Sequence, residues 1–280
     1  MTAQAIGAKF PRYIEKEIKL SSAPISQGQF GDDVQKVQEW LCFHQCMKAD
    51  GIDKDFGPHT AGCVREFQRK QGLPETGVVN EATYAELVKP LLQALEPVQI
   101  STGNTLPDIV LKLAQRHLSL HPIELEEKGR GGNCGPWVRL YMDGQDGKYK
   151  YWCAGFVTFV VQQACKVLNR EIPIPRTYDC YELGLHAREK GMLIRGQDIR
   201  SGKVSWNVLS PCALFLRRDP HPPTPEYEWG HTGFYVSGQG NQFSTIEGNA
   251  NHNGSPDGYE VCQITRSFST YDYDFVRLPK

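Results

Sequence analysis

Two short segments near the C-terminal end constrain the fold of this chain more than any other feature. Gly230-His231-Thr232-Gly233-Phe234-Tyr235-Val236 and Gln242-Phe243-Ser244-Thr245-Ile246-Glu247 are rich in β-branched and aromatic residues, and Ser237-Gly238-Gln239-Gly240-Asn241 between them is a strong turn signal. The pattern predicts an antiparallel hairpin. If it is symmetric about Gln239, Glu247 lies directly across from His231 with its side chain on the same face. Asn249, two residues on, reaches that face if the extended backbone continues. A carboxylate or amide beside an imidazole holds a general base in one tautomer and orientation.

A base of this kind needs a nucleophile, and the chain offers one in Tyr151-Trp152-Cys153-Ala154-Gly155-Phe156-Val157. From Cys153 onward, Val157, Val160, Val161, Ala164 and Leu168 recur at helical spacing, so Cys153 sits in or near the first turn of a buried helix. Unpaired N–H groups and the positive end of the helix dipole favour thiolate over thiol there. The same N–H groups can hold an oxyanion formed beside the sulfur.

The chain has nine cysteines, an odd number without a Cys-x-x-Cys pair, which argues against a disulfide framework and a zinc ribbon. Cys42, Cys46, Cys63, Cys134, Cys165, Cys180, Cys212 and Cys262 are expected to be packing residues. In Cys42-Phe43-His44-Gln45-Cys46, helical spacing sends His44 away from the two thiols, against a zinc site. Asp143-Gly144-Gln145-Asp146-Gly147 has the oxygen donors and glycines of a short calcium loop, but a solvated turn is the expectation, and the cysteine chemistry needs no cofactor. Trp152, Trp206, Trp229 and Tyr235 line a sugar or peptide groove or else fill the core; the sequence leaves both open.

Charge narrows the partners. With 31 basic against 32 acidic side chains and a net charge of -1, the chain lacks the clustered positive charge that nucleic acid or an anionic membrane rewards. No apolar run approaches the ~18 residues of a membrane span. The N-terminus lacks the apolar core of a Sec signal, so the expectation is a chain made in the cytoplasm.

Composition shifts divide the chain into a leader or linker over 1–26, a helical module over 27–95, a Pro/Gly/Ser/Thr-rich linker over 96–105 and a second domain over 106–280. In the module, Val34, Val37 and Leu41 mark one helix, and Ala61, Val64 and Phe67 a second opening after Gly57-Pro58. A third, over 81–92, is capped by Asn80 and aligns Ala82, Ala85, Val88 and Leu91. The loops Asp55-Phe56-Gly57-Pro58-His59-Thr60 and Glu75-Thr76-Gly77-Val78-Val79-Asn80 echo each other. In the second domain a helix is predicted over 106–118, with Ile109 and Leu113 inward, a short helix over 138–141, and a strand at Ala213-Leu214-Phe215-Leu216. His221-Pro222-Pro223-Thr224-Pro225 reads as a stiff loop. The predicted class is therefore α+β, a three-helix bundle followed by helices packed on an antiparallel sheet.

These residues carry two resemblances. Gly31-Asp32-Asp33-Val34, Asp53-Lys54-Asp55-Phe56-Gly57-Pro58, Val64-Arg65-Glu66-Phe67-Gln68, Gly72-Leu73-Pro74 and Thr76-Gly77-Val78-Val79 resemble the three-helix peptidoglycan-binding module of cell-wall enzymes. Gly132-Asn133-Cys134-Gly135-Pro136, Trp152-Cys153-Ala154-Gly155-Phe156-Val157, Gly230-His231-Thr232-Gly233-Phe234 and Thr245-Ile246-Glu247-Gly248-Asn249 resemble the CHAP domain, a papain-like cysteine amidohydrolase and peptidase fold of peptidoglycan hydrolases. The resemblance implies Cys153 as nucleophile, His231 as base and then acid, and Glu247 with Asn249 as the orienting pair. One departure is Pro211-Cys212, where such domains commonly carry Gly-Asp before a core strand. The implied activity is cleavage of a peptidoglycan amide, as amidase or endopeptidase. Without a Sec signal, the wall is reached by non-classical delivery. An antibacterial effector with a cognate immunity protein is favoured over a phage endolysin, and a catalytically silent wall-binding protein and a protease acting on proteins are the alternatives.

Overall fold

The computed structural model describes residues 10–219, 224, 228–253 and 257–280; most of the proline-rich loop lies outside them. In chain order the helices are α1 (Arg12–Ile18), α2 (Asp32–Phe43), α3 (Pro58–Lys70), α4 (Glu81–Leu87), α5 (Lys89–Leu95), α6 (Leu106–Ser119), α7 (Pro136–Tyr141), α8 (Cys153–Val167), α9 (Cys180–Glu189) and α10 (Gly196–Arg200). The strands are β1 (Leu125–Glu127), β2 (Gly131–Cys134), β3 (Leu193–Arg195), β4 (Ala213–Arg218), β5 (Trp229–Gln239), β6 (Gln242–Ala250), β7 (Glu260–Ser267) and β8 (Tyr273–Val276). They form two compact units: residues up to Glu96 with Ile123–Lys150, and Pro97–Pro122 with Tyr151–Lys280.

In the first unit, loops are tied to helices by buried amides. Gln38 on α2 donates to Asp53 Oδ1 (2.8 Å), the Asp55 carbonyl (3.0 Å) and Thr60 Oγ1 (3.1 Å), and accepts from the N–H groups of Asp53 and Lys54. Gln68 on α3 repeats the device one helix later. It donates to Thr76 Oγ1, the Val78 carbonyl and Thr83 Oγ1, and accepts from Gly77 N–H at 2.9 Å. The echo between the two loops is thus a shared hydrogen-bonding problem, solved by a glutamine before each loop and a threonine after it. Gln68→Leu strands Gly77 N–H and is expected to lower the unfolding free energy by about 1–3 kcal/mol. Urea denaturation checks this, and an unchanged midpoint would refute it.

Three expectations for this unit change. Residues 12–18, read as leader, are helical because tertiary contacts hold them: Ile14 and Glu17 are buried, and Tyr84 Oη donates to the Glu17 carbonyl at 2.7 Å. The helix over 81–92 is two helices that meet at Val88, since Pro90 has no N–H to donate and its ring crowds the preceding turn. Asn80 does cap it, accepting from Thr83 N–H at 2.8 Å. Its buried face is Thr83, Tyr84, Leu87, Val88 and Leu91, while Ala82 and Ala85 are exposed. A tyrosine and a leucine bury far more apolar area than two methyl groups.

The third change concerns 123–150, which the composition placed with the second domain. Trp137 packs edge-on against Trp40, with ring centroids 6.3 Å apart. Arg139 on α7 donates to Glu17 (2.5 Å), to Asp146 (2.8 Å) and to Glu39. A buried guanidinium needs such carboxylates, and two of the three lie on α1 and α2. Asp146 also accepts from Arg130 and from Gly135 N–H, so both its oxygens already hold N–H donors. Asp146, Glu127 and Cys134 lie close enough to share a metal ion, but the arginines are the counter-charges the carboxylates hold. This donor set does not fit the calcium loop considered at 143–147.

The second unit is built on a six-stranded sheet of order β3-β8-β4-β5-β6-β7, every neighbouring pair antiparallel. Helix α6 opens with a capping box between Thr105 and Asp108 and packs on α8, which lies across β5 and β6. Phe156 of α8 meets Phe234 of β5 at 5.6 Å. Residues of the other parity, Ala213, Phe215, Tyr235, Phe243, Tyr273 and Phe275, gather with Phe268 into an aromatic core. Trp206 stacks on Tyr235 in that core at an interplanar angle of 3°.

The hairpin register differs from a symmetric one by an even step. Gln239 pairs with Gln242 and Ser237 with Ser244, so the turn is the two-residue Gly240-Asn241. A bulge at Val236 then resets the ladder, which continues as Tyr235 with Thr245 and Phe234 with Ile246. This register carries Glu247 opposite Gly233, two residues from His231 on the same face. Without the bulge Glu247 would oppose Phe234 and point away from His231, since a one-residue slip exchanges the faces of a strand.

Candidate active site

His231 and Glu247 are brought together diagonally across β5 and β6. The Nε2 of His231 and the Oε2 of Glu247 are 2.7 Å apart, and both side chains are fully buried. Gly233 makes the diagonal possible. A Cβ there would stand 2.6 Å from Phe215 Cε1 and 2.8 Å from Glu247 Cγ, closer than packed atoms approach.

Glu247 is held from its other side. Arg266 on β7 donates through Nε to Oε1 (2.8 Å) and through Nη2 to Oε2 (2.5 Å), and Thr245 Oγ1 donates to Oε1 (2.6 Å). Burial by itself would raise the carboxyl pKa. The Arg266 hydrogen bonds, then the hydrogen bond and charge of His231, overcome it and hold the group down to about 2. The site therefore carries a permanent buried carboxylate.

Cys153 is the first residue of α8, and no side chain caps that helix. Its Sγ lies 3.7 Å from the Sγ of Cys180, the first residue of α9. Hydrogen bonding from Cys180 is the largest influence on Cys153. Burial opposes it, but the hydrogen bond and charge of His231 and the backbone at Thr232 add to it, and the thiol pKa falls well below its ordinary value. His231 responds in the opposite direction. Burial favours its neutral form, yet Cys153 and Glu247 together raise its pKa. With Nε2 bonded to Glu247, Nδ1 is the nitrogen left for the sulfur. Both shifts favour the ionised forms, a thiolate at Cys153 and an imidazolium at His231, beside the carboxylate of Glu247 and the guanidinium of Arg266. Cys153 retains 4% exposure against zero for His231 and Glu247, so it is the least buried of the three.

Of the two residues expected to orient the base, Glu247 makes the hydrogen bond. Asn249, within β6, has a left-handed backbone (φ +54°) at the register break between Glu247 and Ala250, and its carbonyl accepts from Gly258 N–H at 3.1 Å. Both tryptophans considered for substrate binding are beneath the surface. Trp152 packs where a Cβ on Gly248 would fall, and Trp229 donates from Nε1 to Asp274 (3.1 Å) under the guanidinium of Arg188. His44, in the cysteine-flanked stretch considered for zinc, has Nε2 2.9 Å from the Leu87 carbonyl and its ring against Phe67.

Sequence reasoning missed Arg266, Thr245 and Cys180. A signal for Arg266 existed: Cys262, Ile264 and Arg266 alternate on one buried face of β7, and a buried guanidinium demands a carboxylate partner. Nothing in the sequence pointed to Cys180, because 26 intervening residues separate two sulfurs that only tertiary folding joins.

The architecture is thus a helical unit and an α+β unit holding a cysteine–histidine–carboxylate cluster. Residues 30–87 match the family model described as "Putative peptidoglycan binding domain". Among solved structures the chain is similar to one titled "The crystal structure of SleB N-terminal domain". The two share 34% identity over 25% of this chain and 96% of that chain, with a TM-score of 0.24. No curated protein matches the chain. No helix among the described residues is long and apolar enough to cross a membrane.

Proposed function

We propose that the protein is a peptidoglycan hydrolase: the helical unit binds the wall, and a CHAP-like, papain-like cysteine site in the second unit cleaves an amide bond. The observation that carries this reading is the buried, hydrogen-bonded chain Arg266–Glu247–His231, whose imidazole lowers the pKa of Cys153 at the uncapped start of α8. The family match at residues 30–87 supports the choice of substrate.

The Cys153 thiolate attacks the amide carbonyl, and the first N–H groups of α8 are placed to receive the negative charge that develops on its oxygen. His231, protonated in the resting pair, gives its proton to the leaving amine. A thioester remains on Cys153. The now neutral imidazole takes a proton from water, which attacks the thioester and releases the acid. Throughout, Glu247 holds Nε2 and stabilises the imidazolium, while Arg266 and Thr245 keep the carboxylate from turning.

Purified sacculi incubated with the full chain are expected to release soluble fragments, and the Cys153→Ala variant is expected to sediment with the sacculi and release none. Mass spectrometry of the fragments assigns the bond. A new L-alanine N-terminus means an amidase, and a terminus within stems or cross-bridges means an endopeptidase. No release by the parent chain sinks the hydrolase reading, and equal release by the variant sinks the nucleophile.

A further inference from the structure

The described part of the chain holds nine free cysteines, all buried, yet two of them face each other. Cys153 and Cys180 open separate helices of the same unit, and their sulfurs are 3.7 Å apart, at van der Waals contact. A disulfide needs about 2.05 Å, so the two have to close by about 1.7 Å. Both occupy first helical turns, where the preceding chain is non-helical: Asp179, the N-cap of α9, and Trp152, that of α8, lie outside helical geometry. Closure can therefore be taken up before each helix and need not break one.

We propose that Cys153 and Cys180 are a redox-active pair, in which mild oxidation closes a disulfide that silences the site reversibly. This rests on the reading of Cys153 as nucleophile. The oxidant is hydrogen peroxide. The Cys153 thiolate attacks one peroxide oxygen, the O–O bond breaks, hydroxide leaves and Cys153 becomes a sulfenic acid. The sulfur of Cys180 then attacks the sulfenic sulfur, the S–O bond breaks, and the displaced hydroxide takes the Cys180 proton to leave as water. Two electrons have passed from the two sulfurs to the peroxide. The sulfenic acid is consumed before a second peroxide can carry it to irreversible sulfinic acid.

The surroundings make the reaction selective. The 3.7 Å contact sets the two sulfurs apart: hydrogen bonding from Cys180 and the His231 charge lower the Cys153 pKa toward the reactive thiolate, while the same contact and burial raise that of Cys180. Burial raises the pKa of the other seven, Cys42, Cys46, Cys63, Cys134, Cys165, Cys212 and Cys262, and keeps them as unreactive thiols.

The test treats the full chain with hydrogen peroxide, blocks remaining thiols and maps unreduced tryptic peptides by mass. The expected result is a Cys153–Cys180 cross-link lacking two hydrogens, with sacculus release lost and then restored by dithiothreitol. In Cys180→Ser, and in Cys180→Ala should the serine variant fail to fold, Cys153 is expected to advance to sulfinic acid without restoration. Sulfinic acid on Cys153 of the parent chain without a cross-link overturns the proposal, as does an unmodified Cys153 at peroxide levels that oxidise free cysteine. The cross-link is read by mass, so a chain that forms it but never digests sacculi disproves the hydrolase reading alone. A chain that digests them and keeps doing so after peroxide disproves the redox pair alone.

Discussion

Glu247→Gln is expected to slow wall digestion by roughly 10³–10⁴-fold while the chain stays folded. The substitution keeps the shape of the side chain and one oxygen to accept from Arg266, but removes the charge that stabilises the His231 imidazolium. The amide also brings N–H donors toward the Arg266 donors, which favours turning it away from Nε2. The pH profile supplies a second readout. Activity needs Cys153 deprotonated and His231 protonated, so it falls at low pH as the thiolate is lost and at high pH as the imidazolium is lost. Glu247 raises the His231 pKa, so its neutralisation is expected to move the alkaline limb toward lower pH. Initial rates of fragment release across pH, with circular dichroism to check folding, decide the matter. A variant within tenfold of the parent, with an unmoved alkaline limb, would show that the carboxylate does not serve the base.

The second large effect is on stability. Arg266→Met is expected to cost roughly 3–5 kcal/mol near pH 7, because it leaves Glu247 buried with His231 but without its guanidinium. Acid should narrow the deficit. In the parent chain the folded Glu247 pKa of about 2 lies below the ordinary carboxyl value of 4.5, so its stabilisation is present above 4.5 and is lost as pH falls toward 2. That difference corresponds to about 3 kcal/mol. Without Arg266 the folded carboxyl is no longer so depressed, and the variant loses less on acidification. Urea midpoints at pH 7, 5 and 3.5 measure this, and a deficit that is small at pH 7 or that widens in acid would refute it.

Much of the site was legible because local patterns wrote it. Helical spacing after Cys153 set the thiol at a helix start, and alternation on either side of a glycine-rich turn set His231 and Glu247 on strands that pair. The partners that complete it were not legible to the same degree. Arg266 reaches Glu247 from a third strand, and Cys180 reaches Cys153 from another helix, so each depends on tertiary packing that no period records. The same holds for the fold. Helix α6 followed from its apolar face, whereas 123–150 joined the first unit through Trp137 and Arg139, whose partners on α1 and α2 are more than 90 residues away in sequence. At Asn249 the strand continues to Ala250, but a register break against β7 gives that residue a left-handed backbone that no alternation pattern records.

The bulge at Val236 makes the alignment of His231 with Glu247 depend on whether a count is odd or even. The hairpin tip can gain or lose residues in pairs and still present the carboxylate to the imidazole. A single-residue insertion or deletion between the bulge and Glu247 would preserve the strands' composition yet turn one partner to the far side of the sheet. Sequence drift in this loop is therefore quantised. Lengths differing by two are neighbours in function, and lengths differing by one are not.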